Sequence, residues 1–138
     1  MQYITSSDEA KKIDNISIRE IGIPSPVLME KAALSVYNHI INTFGTPDKA
    51  GKILAVCGVG NNGGDGVAVA RLLKEAGYDS YVMLLGNIEK ATDEIKIQIN
   101  IAQNLDVKFV TDLFDNEYNI IIDAIFGIGL SRNVEGKY

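Results

Sequence analysis

The sequence predicts an α/β fold: a Rossmann-like, doubly wound and mainly parallel sheet with helices on both faces, preceded by two N-terminal helices. Three observations predict it. Short apolar runs recur at Ile53–Cys57, Ser80–Leu85 and Ile120–Asp123, each long enough for a buried strand. Helical patterns separate the first two runs and fill the interval after the second. A glycine-rich turn, Gly58-Val59-Gly60-Asn61-Asn62-Gly63-Gly64-Asp65-Gly66, joins the first run to its helix, the geometry that holds phosphorylated ligands.

The elements follow in chain order. Ser6-x-x-Glu9 is a capping box, so a helix opens near Ser7 and runs toward Ile21, with Gly22 as its stop. Ser25 and Pro26 read as N-cap and first helical position of a second helix. Its apolar residues Met29, Ala32, Ala33, Val36, Ile40 and Phe44 share a face, and Gly45 ends it. Glu30 and Lys31 on it read as solvated charges, and His39 as a solvated or core-edge histidine. Thr46 to Lys52 reads as a loop. Helix three is expected from about Asp65 to Ala76, stopped by Gly77. In residues 89–105 Ile95, Ile97, Ile99 and Ile101 alternate as in a strand, but two parallel strands need a crossover, so a helix is expected, with Thr92 as N-cap. Val107–Val110 is a short strand, and Thr111–Phe114 reads as one helical turn.

At 138 residues the chain suits one domain, 1–138. The net charge of −5, without a basic cluster, excludes a nucleic-acid surface. Cys57 is the only cysteine, so no intrachain disulfide forms, and it reads as a small core residue. The N-terminus lacks the basic and apolar regions of a signal peptide, and no run reaches membrane-spanning length. A cytoplasmic location is the expectation.

The glycine loop is expected to let backbone approach a ligand closely. Its Gly58-x-Gly60-x-x-Gly63 spacing fits a dinucleotide fingerprint, yet the second strand ends in Gly86-Asn87 where a ribose-binding acid belongs. No Gly-Lys-Ser/Thr follows, so it is not a Walker A loop. A kinase with Asp65 as base would need far more chain. Asn61 and Asn62 read either as turn formers or as ligand contacts, and Asp65 either as a helix N-cap or as a site residue. Asp123 closes three isoleucines. An acid there needs a cation or donors to offset its desolvation, or else caps the next turn. Both motifs end parallel strands, which places them on one edge of the sheet.

Gly60-Asn61-Asn62-Gly63-Gly64-Asp65-Gly66 with Val67-Ala68-Val69-Ala70-Arg71 closely resembles the signature of the NAD(P)H-hydrate epimerase family, the YjeF N-terminal domain. Asp123-Ala124-Ile125-Phe126-Gly127-Ile128-Gly129-Leu130-Ser131-Arg132 resembles its second block, and Leu28-Met29-Glu30-Lys31-Ala32-Ala33 a third. The resemblance implies an isomerase that interconverts the R and S forms of hydrated NADH and NADPH. It implies potassium ligated by Asn62 and Asp123. It implies substrate contacts at Asn61, Asn62, Gly63, Gly64 and Asp65, and at Gly127, Ile128, Gly129, Leu130, Ser131, Arg132 and Asn133. Arg132 offers a fork for phosphate, or alone a surface salt bridge. It further implies a homodimer and a dehydratase partner, fused or separate, and it assigns no catalytic acid or base. The family domain continues through an Asp-x-Pro-Ser-Gly segment that this sequence lacks. The expectation is a C-terminally truncated domain that binds the nucleotide weakly and needs the remainder for full activity. A non-catalytic scaffold of the same family is the alternative, expected to lose the residues that survive here.

Overall fold

The computed structural model describes residues 4–113, 117–128, 130 and 133–134. The chain runs α1 (Ser7–Arg19), α2 (Ser25–Phe44), α3 (Pro47–Ala50), β1 (Lys52–Cys57), α4 (Asn61–Glu75), β2 (Asp79–Leu84), a 3-10 turn (Ile88–Lys90), α5 (Asp93–Asn104), β3 (Lys108–Val110) and β4 (Ile120–Ala124).

Local chemistry sets most of these boundaries. The Ser6 side chain accepts from the Glu9 N–H while the Glu9 carboxylate accepts from the Ser6 N–H, the reciprocal box expected at the start of α1. Gly45 closes α2 at φ 78°, a conformation a side chain would resist. The N-cap of α2 is Pro24, one residue earlier than expected, and no side chain caps it. Thr46–Lys52 is not an open loop, because Pro47 starts the short α3. The alternating isoleucines do form a helix, α5, with Thr92 at its N-cap position although its side chain makes no capping bond. Thr111–Leu113 forms no helical turn, and Phe114 lies outside the described residues.

The largest departure is at α4. It begins at Asn61, four residues before the expected start, so the whole Asn-Asn-Gly-Gly-Asp run is helical. Glycine and asparagine are poor helix formers, and the packing described below overrides that preference.

The four strands are parallel, in the order β3-β2-β1-β4. Alternation splits their side chains between two faces. Ala55, Cys57, Val82 and Ala124 meet α4 and α5 in one cluster, and Ile53 meets α2 and α4 in another on the same face. The opposite face gathers Leu54, Tyr81 and Met83 with Val56, Leu85, Val110 and Tyr118, without a helical residue. The expectation of helices on both faces is met on one face among the described residues. β4 lies at the edge of these strands, and on its opposite face Ile121 is 63% exposed.

One buried charge ties the helical layer together. The Arg71 guanidinium on α4 pairs with Glu30 of α2 and donates to the Gln98 side chain of α5 at 2.9 Å. Glu30 is therefore not the solvated charge that its sequence context suggests. His39 is exposed, as expected.

Candidate functional site

The strand order places the site. The chain leaves β1 toward β2 and β3, then returns to lay β4 on the other side of β1. Connections diverge at that point, and the gap beyond the carboxyl ends of β1 and β4 is where open parallel sheets bind ligands. Cys57 pairs with Ala124 in register, so the loops after both strands start level with one another.

These two loops touch. The Gly58 N–H donates to the Ala124 carbonyl at 3.0 Å. A Cβ on Gly58 would lie 2.1 Å from the Ile125 carbonyl oxygen, and one on Gly63 would lie 1.9 Å from the Gly58 carbonyl oxygen. Such contacts cannot be relieved without moving backbone, so glycine is obligatory at both positions. Packing also holds two further glycines of the loop: Gly64 abuts Met29 and Gly66 abuts Ala124 and Cys57. Gly60 is different. It N-caps α4, and a Cβ there would meet open space. No side chain caps α4, which leaves the first N–H groups of a 15-residue helix directed at the gap.

Asn62 faces β4. Its Nδ2 donates to the Phe126 carbonyl at 3.1 Å, and Gly127 leaves room for its side chain. Asp123 is exposed, and its Oδ1 accepts the Ile125 N–H at 3.1 Å. The desolvation argument for Asp123 therefore fails, because on an edge strand its side chain projects to the open face. The turn-capping role is what its first oxygen performs. The oxygens of Asn62 and Asp123 are both hard donors with a single carboxylate between them, a set that suits a hard cation of low charge and not zinc. Among the described residues no three His, Cys, Asp or Glu side chains group as a metal site. Ile128, Leu130 and Asn133 are exposed, and the Leu130 N–H turns back to the Gly127 carbonyl. Gly129, Ser131 and Arg132 lie outside the described residues.

Asn61 and Asp65 border a second space. They help to line a cavity of about 370 Å³ between α1, α2 and the first turn of α4, together with Lys11, Asp14, Leu28 and Met29. Asp65 is not an N-cap, since it is the fifth residue of α4. Burial, and then the neighbouring Asp14 carboxylate, push its pKa from 3.8 up to about 6. Sequence reasoning missed Lys11 and Asp14. Their three-residue spacing puts them on one face of α1, but a charged helical face ordinarily signals only solvent. Cys57, by contrast, is inert: burial raises its thiol to about 12.

The family model described as YjeF-related protein N-terminus matches residues 25–138. An NAD(P)H-hydrate epimerase of Oenococcus oeni is 45% identical over 133 residues, covering 96% of this chain and 62% of that protein. One from Limosilactobacillus reuteri is 43% identical over 136 residues, covering 98% and 63%. The crystal structure of the yeast protein YNL200c superposes with a TM-score of 0.85 at 27% identity, covering 99% of this chain and 61% of that one. The chain spans about three-fifths of the length of these relatives.

Proposed function

We propose that this chain, which belongs to the YjeF-related N-terminal family, acts as an NAD(P)H-hydrate epimerase domain and interconverts the R and S hydrates of NADH and NADPH. The names of its relatives supply the substrate. One observation carries the reading to this chain: the glycine loop after β1 and the Asp123–Gly127 loop after β4 meet at the switch point of the sheet. Uncapped N–H groups of α4 point there, which suits the nucleotide's phosphates. Gly60, Asn61 and Asn62 would contact the nucleotide from one side, and Gly127 to Asn133 from the other.

Asn62 and Asp123 would hold a potassium ion, which would supply positive charge to this rim. Exposed Val27 and Leu34, seven residues apart on one face of α2, support self-association through the N-terminal helices. A dehydratase would consume the epimer that this domain delivers. No helix among the described residues is long and apolar enough to cross a membrane, and a cytoplasmic setting accords with a nucleotide substrate.

The test supplies one purified epimer of NADPH hydrate and follows appearance of the other by chromatography, with potassium present or replaced by a bulky organic cation. Exchange above the spontaneous rate, reduced without potassium, is the expected result. Exchange at the spontaneous rate, with no saturable binding of either epimer, overturns the reading.

A further inference from the structure

We propose that the cavity between α1, α2 and the first turn of α4 receives the hydrated ring itself, with Asp65 as the carboxyl that moves the proton and Asp14 as the residue that tunes it. The inference rests on the epimerase reading. It goes further by naming a reacting group and a second compartment.

The geometry divides the nucleotide between two places. Asn62 reaches toward β4, whereas Asn61 and Asp65, four residues apart on the first turn of α4, line the cavity. A ligand whose phosphates sit at the helix start can therefore pass its ring over Gly60, the position with open space, into the cavity. Its volume of about 370 Å³ suits a single ring. Leu28 and Met29 form an apolar wall, and Lys11, Asp14, Asn61 and Asp65 the polar one. Nothing structural calls for a carboxyl at Asp65: as the fifth residue of α4 it is not the helix's N-cap, and among the described residues no donor draws its pKa downward.

The chemistry needs one group that gives and recovers a proton. Hydration of an enamine puts the hydroxyl on the carbon next to the ring nitrogen. Protonated Asp65 donates to that hydroxyl, the C–O bond breaks, and the nitrogen lone pair forms C=N⁺ as water leaves. Water then adds to the opposite face of the same carbon and gives up its proton to solvent in the cavity, from which the Asp65 carboxylate is reprotonated. Atoms and charge balance, and no oxidant or reductant takes part. Both protonation states of Asp65 are needed, and a pKa of about 6 keeps both within reach near neutrality. The charged groups that face it are Lys11 and Asp14 of α1, and α2 contributes only uncharged side chains to the lining.

The test compares the wild-type chain with Asp65→Asn, Asp65→Glu and Asp14→Asn, using purified R and S hydrates of NADPH. Asp65→Asn should lower the exchange rate by about 100-fold or more while hydrate affinity changes by less than about 3-fold. Asp65→Glu should recover part of the rate. Asp14→Asn should move the inflection of the rate–pH profile to lower pH, which a merely structural role would not do. Exchange by Asp65→Asn within about 3-fold of wild type overturns this inference and leaves the epimerase reading standing. If wild type binds the hydrate without exchanging it, the epimerase reading falls first. The Asp65 carboxyl carbon resonance, titrated with and without hydrate, then decides: a shift on binding supports the cavity, and indifference refutes it.

Discussion

The two sides of the first turn of α4 are filled differently. Toward β4 the turn is pressed against backbone: Gly63 lies on the Gly58 carbonyl and Asn62 reaches the Phe126 carbonyl. Toward α1 and α2 the same turn leaves a cavity in which a half-buried carboxyl finds no donor among the described residues. The closed side fixes where the helix start sits relative to the sheet. The open side has freedom left to do chemistry. Adjacent residues on a helix point about 100° apart, so one short motif serves both purposes.

The largest effect should come from the closed side. Gly63→Ala would drive a Cβ into the Gly58 carbonyl, and a loss of about 3 kcal/mol or more in denaturant unfolding is expected, enough to prevent folding of a marginal domain. Gly60→Ala is its control, with nothing within 4 Å of the new Cβ and φ at −96°. Should Gly63→Ala cost no more than Gly60→Ala, the closed side is not packed as described.

Next is the tether that holds α2, one wall of the cavity, to α4. Arg71→Met removes the partner of Glu30 and of Gln98. Breaking a fully buried pair costs ~3–5 kcal/mol, but Glu30 reaches solvent, so about 2 kcal/mol is expected in thermal or denaturant unfolding. A loss below about 0.5 kcal/mol would mean that α2 is held by its apolar stripe alone.

The open side predicts a pH effect of opposite sign to that of a paired acid. The folded-state pKa of Asp65 is raised, so the folded chain binds more protons than the unfolded chain between pH 4 and 6. Its contribution to stability is full below pH 4 and is lost as pH rises through about 6. The shift converts to about 3 kcal/mol, and solvent screening of a partly exposed group cuts this to about 1 kcal/mol. Asp65→Asn should therefore raise stability at pH 7 by about 1 kcal/mol and remove this slope. Equal pH dependence in the two proteins would show that Asp65 is solvated. Gly60→Ala has the smallest expected effect, within about 0.5 kcal/mol.

Sequence reading reached the fold because burial dictates it directly. Apolar runs at β1 and β2 mark covered strands, and parallel pairing demanded a helix at α5 despite its alternating isoleucines. It misplaced the start of α4 because intrinsic propensity argues against Asn-Asn-Gly-Gly in a helix, while the contact of Gly58 with Gly63 is visible only in three dimensions. It misjudged Asp123 because three isoleucines suggest a buried strand, and only strand order shows that β4 lies at an edge with Ile121 exposed. Asn62 and the two loops were legible from motif and connectivity together. The cavity was not, because Lys11 and Asp14 acquire meaning only when α1 lies over Asn61 and Asp65.

The central claim is that a nucleotide occupies the gap between the ends of β1 and β4 and extends across the start of α4. Backbone amide shifts recorded during titration with NADPH hydrate test it most directly. Saturable shifts concentrated at residues 58–65 and 125–128, with a second group at Lys11 and Asp14, are the predicted outcome. Shifts confined to α5 or to the β2–β3 side of the sheet, with 58–65 unmoved, would contradict it.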